Sequence, residues 1–275
     1  RGLVGSEMCI RDRGGTMGGG TQYDGFWNDI YDTHRTLVEN YNWDPDDIYV
    51  FYKDKANCYI NGIDVYGHAT GDSLSNFLCT GYSTPPVFMV HETFTPNDLI
   101  FFMEADHGST NGYFGGQLKS RDVIYWFSQH ISHYYNYSYA RLVMLFSSCY
   151  SGKCFGHSYD LPDSIVMSIA RDDEMGYTWK NKRIGCDDWD DHLEPLWNNE
   201  ANGFVHAMMG SDMENPISIL DMFGSMNAAA LDNEYDSQGV DDISHPQIDD
   251  TYPDSTQHEY DALGNDGLLA QTTYI

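Results

Sequence analysis

LIFFMEADHG, residues 99–108, carries the strongest structural signal in the chain. Leu99 to Met103 is apolar at every position, without the alternation of a half-solvated strand, and it runs into Glu104-Ala105-Asp106-His107-Gly108. LVMLFSSCYSG at 142–152 has the same form, an apolar run ending in Ser147-Ser148-Cys149-Tyr150-Ser151-Gly152. Strands that are apolar throughout belong to a sheet covered on both faces. Two further runs, IYVFY at 48–52 and IVMSIA at 165–170, extend the pattern. Between them, residues 26–41 set Phe26, Ile30, Leu37 and Tyr41 near one helical face, and Ser120 to Ser132 also reads as a helix. Helices alternating with buried strands predict an α/β fold with a mostly parallel sheet, whose reactive groups collect at the carboxyl ends of the strands.

The rest of the chain is less regular. Residues 53–97, rich in Gly, Asn, Ser and Thr and holding Pro85-Pro86 and Pro96, read as a long surface excursion. Phe204 to Met209 and Pro216 to Leu231 read as helices. Arg1–Arg13, RGLVGSEMCIRDR, has no apolar period and resembles translated adapter sequence, so it is set aside from the fold as non-native. The expected organisation is that segment, a domain over 14–231, and an acidic, loop-rich part over 232–275 packing on the same domain.

Length and composition narrow the function. A chain of 275 residues, 41% hydrophobic and 15% aromatic, can bury a large core. With 42 acidic against 14 basic residues the net charge is −28, which excludes nucleic-acid binding through phosphate neutralisation and disfavours an anionic membrane. No apolar run reaches the roughly 20 residues that span a bilayer. Nothing here sets the oligomeric state. Setting Cys9 aside leaves Cys58, Cys79, Cys149, Cys154 and Cys186, an odd number. Cys149 is the candidate for the unpaired thiol. Cys58 with Cys79 and Cys154 with Cys186 is the simplest of three pairings, and pairing would place the chain in an oxidising compartment, such as outside the cell. Buried free thiols are the alternative. The aspartates at 241–242, 249–250 and 261–266 are of the oxygen-rich kind that Ca²⁺ takes, but no EF-hand register is met; a solvated acidic surface is the preferred reading, with no cofactor.

Cysteine attacks as the thiolate, which a nearby imidazole makes accessible at neutral pH. His107 and Cys149 each follow an apolar run directly and are each followed by small residues. If those strands are neighbours, both side chains project from one rim. Gly108 lets its backbone amide approach a developing oxyanion, paired with the amide of Cys149.

DHGST at 106–110 and SSCYSG at 147–152 resemble the histidine and nucleophile motifs of the legumain family of cysteine endopeptidases. The stretch from FWND to DDIYVFYKD (26–54), IVMSIARDDEMGYTW (165–179) and HPQIDD (245–250) extend the likeness over roughly residues 15–230 and beyond. The resemblance implies a caspase-like three-layer sandwich of about six strands, its first strand missing or replaced. It also implies Cys149 as nucleophile, His107 as general acid and base, and Gly108 with Cys149 as oxyanion donors, all acting on a protein or peptide substrate. Two features bear on specificity. Legumains carry an acid two residues before the nucleophile, where this chain has Ser147, and Asp188 in Cys186-Asp187-Asp188-Trp189 stands near where they carry an acidic pocket wall. Whether cleavage follows Asn or a basic residue stays open. The competing readings are a catalytically silent binding module on the same fold and a transamidase using the same dyad.

Overall fold

The computed structural model describes residues 8–12, 25–52, 58–60, 62–78, 98–106, 108–114, 118–134, 141–161, 163–174, 203–232, 246–250 and 268–275. Its strands are β1 (Met8–Asp12), β2 (Ile48–Tyr52), β3 (Cys58–Ile60), β4 (Ile63–Gly67), β5 (Leu99–Ala105), β6 (Tyr113–Phe114), β7 (Leu118–Lys119), β8 (Arg141–Ser147), β9 (Ser164–Ser168) and β10 (Gln247–Asp250). Its helices are α1 (Gly25–Glu39), α2 (Gly71–Leu78), α3 (Ser120–Tyr134), α4 (Gly203–Met209), α5 (Ile219–Asp232) and α6 (Leu268–Thr272). Two 3₁₀ segments cover Pro45–Asp47 and Ser151–Asp160.

Among the described residues, eight strands form one sheet in the order β10-β9-β8-β5-β1-β2-β4-β3. The six from β9 to β4 run parallel, and an antiparallel strand closes each edge, β10 on β9 and β3 on β4. β5 shows why its run is apolar throughout. Phe101, Met103 and Ala105 enter a core with Ile30 and Leu37 of α1, Phe204 of α4 and Phe223 of α5. Ile100 and Phe102 enter a second core, on the opposite face, with Leu74 and Phe77 of α2 and Val123, Ile124 and Phe127 of α3. β8 divides likewise, Val143 and Leu145 against Leu142, Met144 and Phe146. Each such side chain contributes roughly 1.5–3 kcal/mol by burial, so the two faces together fix strand register and layer order.

Four expectations need correction. Arg1–Arg13, set aside above, supplies β1: Met8–Asp12 lies opposite Ile48–Tyr52, and Met8–Arg11 opposite Phe101–Glu104. MCIRD holds two charged residues in five and only three apolar ones in a row; strand pairing along both edges, invisible to hydropathy, places it in mid-sheet. Residues 53–97 are not one excursion, because their described part includes β3, β4 and α2. Buried Ile63 and Val65 alternate with exposed Asp64 and Tyr66, a half-covered strand near the sheet edge. Gly67 closes it where a Cβ would lie 2.7 Å from the Phe51 ring. α2 is capped by Thr70, whose Oγ1 accepts from the Ser73 amide at 3.2 Å.

α5 begins at Ile219 rather than Pro216. The Ser218 hydroxyl accepts from the Asp221 amide (3.1 Å) and donates to the Asp221 carboxylate (2.8 Å), a cap that fixes the start. Finally, Asp249 and Asp250 are not solvated. Both are buried on β10, where Asp250 Oδ2 accepts from the Ala270 amide at 3.0 Å and so ties α6 to the sheet edge.

Candidate active site

The site is assembled where β5, β8 and β9 end side by side. β5 and β8 pair without a break from Leu99 opposite Arg141 to Ala105 opposite Ser147. The partners are 42 positions apart throughout (141 − 99 and 147 − 105). One step further the Asp106 amide still donates to the Ser147 carbonyl, at 3.3 Å. Past Ser148 the chain turns at Cys149, half-buried and carrying a thiol rather than a disulfide.

Two sides hold that turn. From β5, Gly108 lies against the Cys149 backbone. A Cβ built on Gly108 would overlap the Cys149 carbonyl group and fall 2.7 Å from its amide nitrogen, so only glycine fits. From β9, the Tyr150 amide donates to the Glu174 carbonyl (2.8 Å) and the Gly152 amide to the Ala170 carbonyl (2.9 Å). Tyr150 has φ +59°, unfavourable for an aromatic residue, and the two bonds to 170–174 hold it there. A Cβ on Gly152 would approach the Asp172 amide nitrogen to 2.7 Å, a second close backbone approach flanking the thiol. The element that follows, Ser151–Asp160, is 3₁₀ rather than α-helical.

Of the expected site residues, Cys149, Gly108 and Ser147 meet at this rim. Ser147 ends β8 and is buried, 2% exposed. His107 and Asp188 lie outside the described residues, as do Cys79 and Cys186. Asp106, just before His107, is buried. The Cys154–Cys186 bridge, the simplest pairing above, is not made: Cys154 is a free thiol on the 3₁₀ segment, fully buried in the core. Burial first, then the charges of Asp249 and Glu104, push that thiol well above its usual range and leave it unreactive. Lys119, Arg121 and Lys153 gather at a neighbouring cleft that sequence reading did not anticipate. Its signal was available: in a chain with only 14 basic residues, these three flank the two motifs.

No family model matches the chain, and no curated protein matches it by sequence. Among solved structures it is similar to the crystal structure of caspase-1 from Spodoptera frugiperda, with a TM-score of 0.53 over 90% of this chain and 87% of that one, at 12% identity. The fold is caspase-like. At that identity the likeness is one of backbone path. The catalytic reading rests on the residues themselves.

Proposed function

We propose that the protein is a cysteine endopeptidase in which Cys149 is the nucleophile and His107 the general acid and base. The observation that carries this reading is the register of β5 on β8. Their constant offset of 42 equals the sequence spacing of His107 and Cys149 (149 − 107), so each of the two follows the last ladder pair, Ala105 opposite Ser147, by two positions in the sequence. Gly108, the residue after the histidine, packs on the backbone of Cys149 and supports the same pairing.

In this mechanism the imidazole of His107 takes the thiol proton and the thiolate attacks the peptide carbonyl. The amides of Gly108 and Cys149 donate to the oxyanion, each worth about 3 kcal/mol in the transition state. The C–N bond breaks as His107 protonates the departing amine. Water, deprotonated by the same imidazole, then hydrolyses the thioester. No step calls on a cofactor. A legumain-type specificity pocket would place Ser147 and Asp188 near the substrate residue before the scissile bond, with Asn or a basic residue as its occupant. A peptide-library digest read by mass spectrometry tests the reading. Cleavage should be lost in both Cys149→Ala and His107→Ala while their melting curves match the parent. Unchanged cleavage by either variant ends the assignment.

A further inference from the structure

The hairpin over residues 108–114, the start of α3 and the first turn of the 3₁₀ segment enclose a cleft of about 490 Å³. Lys119, Arg121 and Lys153 line it with the neutral Asn111 and Gln247, and among the described residues Asp172 is the one acid in its lining. Three of the chain's 14 basic residues therefore meet at one cleft of a molecule whose net charge is −28.

Their present partners hold them weakly. Arg121 Nε lies 3.5 Å from Asp122, Lys153 Nζ lies 3.9 Å from Asp172, and Lys119 Nζ stands 4.5 Å from the centre of the Tyr113 ring. Each of the four side chains in the two ion pairs is a third to two-thirds exposed. Exposed pairs of this kind contribute about 0–1 kcal/mol, so an incoming carboxylate can displace them. The stem of Lys153 is also confined: Gly112, at φ +73°, comes so near that a Cβ there would lie 3.2 Å from the Lys153 Cβ and Cδ. The rest of the acidic surface repels an anion. At physiological ionic strength that repulsion is screened beyond about 8 Å, whereas contacts inside the cleft are not.

We propose that this cleft is a subsite binding the acidic side chain of a polypeptide held at Cys149. Lys153 stands four residues beyond the thiol, and the hairpin that starts at Gly108, against Cys149, reaches Gly112 at the cleft. A peptide lying at the thiol therefore has a neighbouring side chain within reach of the three cations. The peptide's role as substrate rests on the peptidase reading above, but its binding does not require turnover.

The test uses full-length Cys149→Ala protein and fluorescence anisotropy with two labelled pools of random peptides, one with a fixed central Glu and one with Gln there. The Glu pool should bind about tenfold tighter, as expected for a charge-assisted hydrogen bond discounted for exposure. Lys153→Gln with Arg121→Gln should bring the pools to parity without changing the melting temperature, and Lys119→Gln alone should remove part of the preference. Equal binding of the two pools overturns the proposal, as does a preference that survives the double substitution. If the Glu preference is found but the parent protein cleaves no peptide, the subsite stands and the peptidase reading falls.

Discussion

Gly108→Ala puts the construction of the site under the sharpest strain. A methyl group there would overlap the Cys149 carbonyl oxygen and lie 2.6 Å from the carbonyl carbon, against roughly 3.5 Å for a normal contact. The obstacle is backbone and its oxygen is nearer still than its carbon, so the β5 loop and the Cys149 turn must separate by roughly 1.5 Å. Overpacking on that scale costs about 1–3 kcal/mol of stability, a few degrees in Tm. Function should suffer more. A 1 Å misplacement costs about 100-fold, and withdrawing one oxyanion donor costs about 100- to 1,000-fold in kcat. Steady-state kinetics on a peptide cut by the parent, with a thermal melt of each protein, measure both. A fall in kcat of at least 100-fold, a smaller change in KM and a modestly lowered Tm are expected. If Gly108→Ala keeps kcat within threefold of the parent, the close approach is not part of the catalytic arrangement.

Three further outcomes follow from the same geometry. Iodoacetamide should alkylate Cys149 ahead of Cys154, whose buried thiol resists ionisation; peptide mapping over a time course reads the order, and first labelling at Cys154 would be the wrong one. Burial raises the Asp32 carboxyl from 3.8 to about 7, with Arg35 opposing, so the folded state keeps a proton that the unfolded chain sheds and stability falls as pH rises through that interval. Burial lowers His34 from 6.5 to about 4, with the opposite slope, so Asp32→Asn should gain on the parent steadily from pH 4 to 7, by at most about 4 kcal/mol in urea unfolding; a constant difference would refute the shift. Ser218→Ala removes the α5 cap and should cost about 1 kcal/mol by the same unfolding assay, where no change would show the cap to be idle.

Sequence reading recovered the parts of the molecule where one residue pattern has one physical meaning. Leu99–Met103 and Leu142–Phe146 are apolar at every step because each strand feeds two cores, and that pattern also marked the strand ends where Cys149 and Gly108 meet. It failed where pairing or long-range contact governs. Met8–Asp12 sits in mid-sheet through its partners on both edges. The period-two burial of Ile63–Gly67 was averaged away among glycines and asparagines. Asp249 and Asp250 looked like surface acids because composition cannot show that a strand edge and a helix amide enclose them. The cationic cleft joins residues from β7, α3 and the 3₁₀ segment, up to 34 positions apart (153 − 119), which only the folded chain brings together.

Intact-mass spectrometry of the protein after exposure to a peptidyl acyloxymethyl ketone reports on the thiol of Cys149 as a nucleophile aimed at a peptide carbonyl. One adduct per chain is expected, mapped to Cys149, lost in Cys149→Ala and strongly slowed in His107→Ala. An unmodified chain after prolonged exposure to a broad panel of such peptides, or an adduct formed equally well without His107, would remove the ground for reading this rim as a peptidase site.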